Sequence, residues 1–348
     1  MRILDRYIAW TFLAPLLVSL AAVTGLYIVA HAFGNLNDYI QEAGNLGDAL
    51  NRMARIYLLR IPTFIVPVLP VAMLVGAAYG VSLLAAKNEL TAMRSCGISL
   101  WRILAPVYGA AVFVSVLGLA NREYVIPRIE AMTAHDLKEW TGEDEFKPVA
   151  VFKPEEDGAF YNVSYNVVKG EARGFTIVLP ETGEHYVAKT ARWEDGVWRL
   201  KDVTRGEKLI DHMTWETSLN PQELELRLMD PDHASLKDLR RLISMQSADR
   251  ETSRNRYTLL YHKRLAYAFE GLVLVAIGLP LVIGNERIRR SRMLGVGLCV
   301  AVSGVFYTVQ FVATDLGMVG HLPPVVAAWL PLIIFAALGL YLIEVSET

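Results

Sequence analysis

The sequence predicts an α-helical membrane protein with six transmembrane helices and an inserted all-β, jelly-roll-like domain. Three observations carry that expectation. Over 348 residues the chain is 53% hydrophobic with a mean hydropathy of +0.31, too apolar for one soluble domain, yet its 20% of charged residues is too many for a membrane bundle alone. Apolar runs recur that reach the length needed to cross a bilayer, about 20 residues. Charge is also unevenly placed: residues 121–250 hold 18 Lys+Arg against 25 Asp+Glu, net −7, and the remainder holds 16 against 11, net +5. An acidic, water-facing block interrupts a basic, membrane-embedded frame.

The apolar runs place spans at about 8–33, 57–86, 103–126, 258–284, 293–315 and 323–343. They divide the chain into a first membrane part (1–126), a polar block (127–256) and a second membrane part (257–348). Arg2 and Arg6 precede the first run, and no small-residue cleavage site follows a short apolar region, so this run reads as a retained span rather than a signal peptide. Basic residues in short loops mark the cytoplasmic side. They fall at Arg2 and Arg6, at Lys87, Arg94 and Arg102, and at Arg287, Arg289, Arg290 and Arg292, whereas the GMVGHLP connection between spans five and six has none. Both termini are therefore expected inside and the polar block outside.

The second span is broken early by Pro62, Pro67 and Pro70 and turns abruptly polar at Lys87, where the sequence reads KNELTAMRSCGIS. Ala86, Leu90 and Met93 keep helical spacing while Lys87, Asn88, Glu89 and Arg94 forbid further spanning, which predicts a short amphipathic helix within about 87–99. Such a helix can simply lie at the interface, with Glu89 favoured near its N-terminus by the helix dipole. It can equally give a partner subunit something to grip.

Within the polar block, Trp198 and Leu200 alternate with Arg199 and Lys201, and Leu224, Leu226 and Leu228 with Glu223, Glu225 and Arg227, the pattern of strands with one buried face. Turn signals at 155–158, 169–170, 181–183 and 194–196 punctuate these runs. The pattern suggests an eight-stranded sandwich. A helix is expected from Ser235, a plausible N-cap, leading back to the membrane.

Several chemistries lack their residues. No Gly-x-x-x-x-Gly-Lys-Ser/Thr occurs, so the chain has no P-loop for nucleotide phosphates, and there is neither His-Glu-x-x-His nor Gly-x-Ser-x-Gly. The seven histidines show no metal-ligand spacing, and no cofactor is expected. No cluster of Lys and Arg among aromatics suggests nucleic acid. Cys96 and Cys299 both lie outside the polar block, so that block has no disulfide to form.

The chain resembles the LptF/LptG permeases of the bacterial lipopolysaccharide exporter. The resemblance rests on Leu4-Asp5-Arg6-Tyr7, on Glu89-Leu90 followed by Met93 and Gly97, and on the Ser235-Leu236 helix. Tyr261-His262-Lys263-Arg264-Leu265, Pro323-Pro324 and Trp329-Leu330-Pro331 complete it, in the family's order over nearly the whole chain. The opening leans toward the LptG type. A proline that many relatives carry after the basic motif is replaced around Ala268 and Phe269. The resemblance implies a non-enzymatic permease subunit in the bacterial inner membrane with a periplasmic domain. Its implied partners are a related six-span permease, a cytoplasmic ATPase dimer, periplasmic jelly-roll transport proteins, membrane lipid and lipopolysaccharide. It also implies that Glu89, Leu90, Met93, Arg94 and Gly97 form the ATPase-coupling segment, with Glu89 meeting a basic partner residue and Leu90 and Met93 filling the partner's groove.

Substrate contacts are expected from Arg52, Arg55 and Arg60, at offsets of three and eight on the outer side of span two, where positive charge runs against the usual bias. Snorkelling at a helix end is the other explanation. Phosphorylated glycolipid would favour the functional one, since a hydrogen bond to a charged group contributes about 1.5–3 kcal/mol. The resemblance implies a further substrate contact at His31, the position where some relatives carry a lysine, so that an imidazole stands here in place of an ammonium. Glu270 lies within span four, where facing lipid costs about 2.5–3.5 kcal/mol at the bilayer centre, so it is expected to face protein or water. A different class of protein, a non-transporting membrane scaffold or sensor with a periplasmic β domain, fits the same layout.

Overall fold

In the computed structural model, which describes residues 3–43, 46–129, 146–153, 159–167, 169–206, 208–229, 231–232, 234–245, 251–284 and 292–347, six helices are long and apolar enough to cross a membrane. The turn expected at 155–158 and Arg287, Arg289 and Arg290 lie outside the described residues. The first helices are α1 (Ile3–Ala43), α2 (Leu46–Leu59), α3 (Ile61–Ala86), the short α4 (Glu89–Ser95) and α5 (Leu100–Ala120), which runs on through a π-helical turn at Asn121–Val125. Six strands follow: β1 (Lys147–Lys153), β2 (Ala159–Asn166), β3 (Glu171–Leu179), β4 (Glu184–Glu194), β5 (Val197–Arg205) and β6 (Lys208–Trp215). The remaining helices are α6 (Pro221–Leu228), α7 (Leu236–Ser244), α8 (Glu251–Gly284), α9 (Arg292–Val319) and α10 (Pro324–Glu347). The chain falls into two units, Met1–Ile129 with Thr258–Thr348, and Glu130–Tyr257.

In the membrane unit, α3 and α8 form the middle. Their spanning windows are 67% and 72% buried, against 17% in α1 and 22% in α9. One apolar core joins α1, α3, α5 and α8 through residues such as Phe12, Leu69, Ile103 and Leu279, and another joins α3, α8, α9 and α10 through Leu74, Leu274, Phe306 and Leu332. Large apolar side chains are left facing outward along α1 (Trp10, Val18, Leu26, Phe33) and α9 (Met293, Val300, Phe311).

Small residues and prolines set the close contacts. A Cβ on Gly76 would lie 2.8 Å from Leu16 Cα, and one on Gly80 2.7 Å from the Thr11 carbonyl oxygen, so only glycine lets α3 seat against α1. Pro15 lacks the N–H that would otherwise bond Thr11, the residue four earlier. In the same way Pro70 releases the Val66 carbonyl inside α3, and the Tyr267 hydroxyl of α8 donates to it at 2.9 Å. The proline thus makes a bond between helices out of one lost within a helix.

The second unit contains one antiparallel sheet in the order β1-β2-β3-β4-β5-β6, each strand paired with its neighbours in sequence. Among the described residues there are six strands in a meander where the sequence suggested eight in a sandwich. Alternation holds: Tyr161, Val163, Phe175, Ile177, Ala188, Trp198, Leu200 and Val203 are buried in one core, while Arg199 and Lys201 are exposed. The turns at 169–170, 181–183 and 194–196 form, the last with both Asp195 and Gly196 at positive φ, as a two-residue hairpin turn of the primed type requires.

The alternation at Leu224, Leu226 and Leu228 misleads. These residues lie in helix α6, not in a strand. Asn220 caps that helix, accepting from the Glu223 N–H at 2.8 Å, and Pro221 occupies its first turn. Its Glu, Leu and Arg residues are all good helix formers, so capping and propensity override a three-residue period of two. Leu224 joins the sheet core, and buried Glu223 pairs with Lys153 of β1 at 3.0 Å and with Arg227 at 2.8 Å. The helix expected from Ser235 forms as α7, with a reciprocal capping box between Ser235 and Asp238.

Candidate transport site

At one end of the membrane unit, α3 stops at Ala86 and the chain turns through Asn88 in the left-handed region (φ 58), which Asn adopts more readily than most non-glycine residues. Helix α4 then runs seven residues. Gly97 (φ 78) ends it: the Gly97 N–H bonds the Arg94 carbonyl at 2.9 Å and the Ile98 N–H bonds Met93 at 3.2 Å, the paired bonds of a Schellman stop. Ser99 at once caps α5, its hydroxyl accepting from the Arg102 N–H. The short helix is therefore fixed at both ends by backbone geometry.

Two contacts brace this segment from α1. The Tyr7 hydroxyl donates to Glu89 Oε2 at 2.8 Å, and Arg102 pairs with Asp5 at 3.3 Å. Leu90 is only 2% exposed and belongs to the core shared by α1, α3 and α5. This corrects the expectation that Leu90 fills a partner's groove: it anchors α4 to its own bundle, because an apolar residue one turn from the membrane core is buried there first. Met93 is half-buried against the same core. The face left outward carries Lys87, Thr91, Ala92, Arg94, Ser95 and Cys96.

At the opposite end of α1, His31 shares a 2.6 Å hydrogen bond with the Tyr57 hydroxyl of α2. Tyr57 stacks on Phe64 of α3 with centroids 5.5 Å apart, and Tyr27 packs against Phe64 at 5.5 Å. His31 is thus held in an aromatic cluster. Arg55 is exposed on α2, and half-buried Arg60 sits at the α2–α3 junction, where Pro62 starts a new helix. The expected offset of eight therefore crosses a helix break instead of running along one helix. The Arg52 side chain lies outside the described residues.

A third polar group lies within the spans. Buried Glu270 of α8 accepts from Gln310 of α9 at 2.6 Å, so it faces protein. Nearby, the Arg122 guanidinium stands 5.1 Å over the Tyr267 ring, and Asn121 donates to the Pro62 carbonyl at 2.8 Å. Both residues belong to the π-helical turn, an irregularity that re-aims side chains without breaking the span. Sequence reasoning found Glu270 alone. The polar pair Asn121-Arg122 at the end of an apolar run, and the carbonyl freed by Pro70, were signals for the rest.

Away from the spans, the Glu184 carboxylate of β4 accepts from the Tyr186 hydroxyl at 2.6 Å and pairs with Arg205 of β5. The Tyr186 hydrogen bond, then the Arg205 guanidinium, hold Glu184 below the usual carboxylate range. The same bond, then burial, pushes the Tyr186 phenol up.

Six helices long and apolar enough to cross a membrane, in two sets of three, with an inserted β unit between them and a braced surface helix after the second, define a polytopic membrane protein whose sequence holds no P-loop motif. Residues 6–344 match the family model described as "Lipopolysaccharide export system permease LptF/LptG", and the chain belongs to that family. It is 25% identical to the lipopolysaccharide export system permease protein LptG of Escherichia coli strain K12, with 98% of each chain covered. It is 22% identical to the protein of the same name from Haemophilus influenzae, again over 98% of both.

Proposed function

We propose that this chain is one permease half of an ABC-type exporter that extracts lipopolysaccharide from the inner membrane and passes it to a periplasmic β-domain bridge, driven by a separate ATPase dimer. Its companion is a related six-span chain. Both termini lie in the cytoplasm and residues 127–256 in the periplasm, in keeping with the basic loops described above.

The observation that carries this reading is the bracing of α4. A surface helix anchored inward by Leu90, stopped by Gly97 and tied to α1 through Tyr7 and Glu89 moves as one body with the spans behind it. The ATPase grips the outward face of α4, with Glu89 against a basic partner residue, Arg94 and Met93 beside it. One carboxylate oxygen of Glu89 serves Tyr7 and the other remains for the partner. Closure of the ATPase pulls α4 and shifts α1 against α9 of the companion. The exposed apolar faces of α1 and α9 line the chamber that this motion narrows. His31, Arg52, Arg55 and Arg60 form its rim, where cationic groups meet glycolipid phosphates.

Purification of the chain from its native membrane, followed by identification of co-eluting proteins and lipids, tests the reading. A P-loop ATPase, a second six-span chain and lipopolysaccharide are expected. A chain that elutes with neither protein is a scaffold or sensor.

A further inference from the structure

We propose that Glu270 of α8 and Gln310 of α9 are positioning residues whose bond sets the rotation of α9 about its own axis and so decides which face that helix turns outward. Along α9, Cys299, Ser303, Phe306, Gln310 and Ala313 recur at steps of four and three, the spacing of one helix stripe; Gln310 is half-buried and the other four are buried. One position further round, exposed Val300, Gly304 and Phe311 follow the same spacing. That stripe is as apolar as the first, and hydrocarbon solvates apolar side chains as well as a neighbouring helix does, so burial alone gives α9 little reason to prefer one setting.

The polar pair supplies the reason. Gln310 Nε2 donates to Glu270 Oε1 at 2.6 Å, and Glu270 is 5% exposed. Turning α9 by one position, about 100°, carries the amide away and leaves the buried carboxylate without that donor. A single polar contact in an apolar seam specifies register in this way, with no gain in stability over a packed apolar pair. Arg122 and Lys263 also act on the carboxylate, but neither belongs to α9, so neither sets its rotation. In the export reading, on which only this last step rests, the outward face walls the chamber, and the pair decides which side chains meet the acyl chains.

Cys299 provides the probe, because it lies on the buried stripe next to exposed Val300. The full chain with its co-purifying subunits is placed in nanodiscs with Cys96→Ser and treated with a membrane-permeant maleimide. Cys299 should react several-fold more slowly than a Val300→Cys control measured with Cys299→Ala. Glu270→Leu with Gln310→Leu should bring Cys299 to a rate near that of the control without lowering the unfolding midpoint, since two apolar groups replace a polar pair. Glu270→Gln, which keeps an amide to bond Gln310, should leave Cys299 protected. A Cys299 as slow in the double variant as in wild type, a lowered midpoint there, a fast Cys299 in Glu270→Gln, or a slow Val300→Cys control would each overturn the proposal. The readouts are labelling and unfolding, not transport, so failure of the export reading leaves the register standing.

Discussion

The hydroxyl of Tyr7 donates to Glu89 Oε2 at 2.8 Å, joining the first turns of the chain to a surface helix 82 positions later. The bond makes Glu89 part of the bundle as well as part of its surface. Glu89→Lys should therefore abolish lipopolysaccharide release and ATPase coupling in proteoliposomes, since it sets like charge against a basic partner and also forfeits the bond to Tyr7. Tyr7→Phe removes a solvent-exposed hydrogen bond of about 0.5–1.5 kcal/mol and should reduce transport several-fold at most, with the ATPase still attached. Full transport by Glu89→Lys would leave α4 as an interfacial helix only.

Packing of α1 on α3 gives a stability test. Gly76→Leu and Gly80→Val force side chains into the Leu16 and Thr11 backbone, and overpacking of this kind costs about 1–3 kcal/mol. Thermal unfolding of the purified chain in detergent should show a lowered midpoint for both. Gly304→Ala, which meets nothing within 4 Å, should leave it unchanged.

The β unit should respond to pH through Glu184 and Tyr186. Glu184 is depressed in the folded chain, so its contribution is present above the ordinary carboxylate range near 4.5 and is lost as pH falls through the lower folded value. Tyr186 is raised, so its contribution is present below about 10 and is lost as pH climbs past that. Tryptophan fluorescence, following the residues near this sheet core, should show that Glu184→Gln flattens the acid limb of stability against pH. An unchanged acid limb would mean that the pair is solvent-screened.

Two cysteines and one turn test the orientation. Exposed Cys96 should react with a membrane-impermeant maleimide only in inside-out vesicles, buried Cys299 should stay unreactive, and a cysteine at Lys169 in the β2–β3 turn should react in spheroplasts. The reverse pattern would invert the topology.

At the rim, Arg55→Ala with Arg60→Ala should weaken glycolipid binding by up to a few kcal/mol if both guanidiniums reach phosphate, and by far less if they only snorkel. Photo-crosslinking from positions 31 and 55 in lipopolysaccharide-containing membranes, with and without ATP, separates the two. Adducts that fade with ATP support the rim, and an absence of adducts at both positions removes it from the substrate path.

Hydropathy and charge are sums over neighbouring residues, so the six spans, the acidic insertion, the short helix within 87–99 and the helix from Ser235 were all legible in the sequence. Where two local patterns competed over a few residues, as at Leu224, Leu226 and Leu228, the cap at Asn220 and packing on the sheet decided for a helix. Only the tertiary structure could turn Leu90 inward, since its spacing fits a partner's groove as well as its own core. Nor does any local window contain both Tyr7 and Glu89, Glu270 and Gln310, or Val66 and Tyr267. The last two pairs exist because a buried carboxylate and a carbonyl freed by proline must find partners wherever the packed helices bring one within reach, and the exposed Tyr7–Glu89 pair forms because packing brings α1 and α4 together; that reach is a property of three-dimensional distance alone.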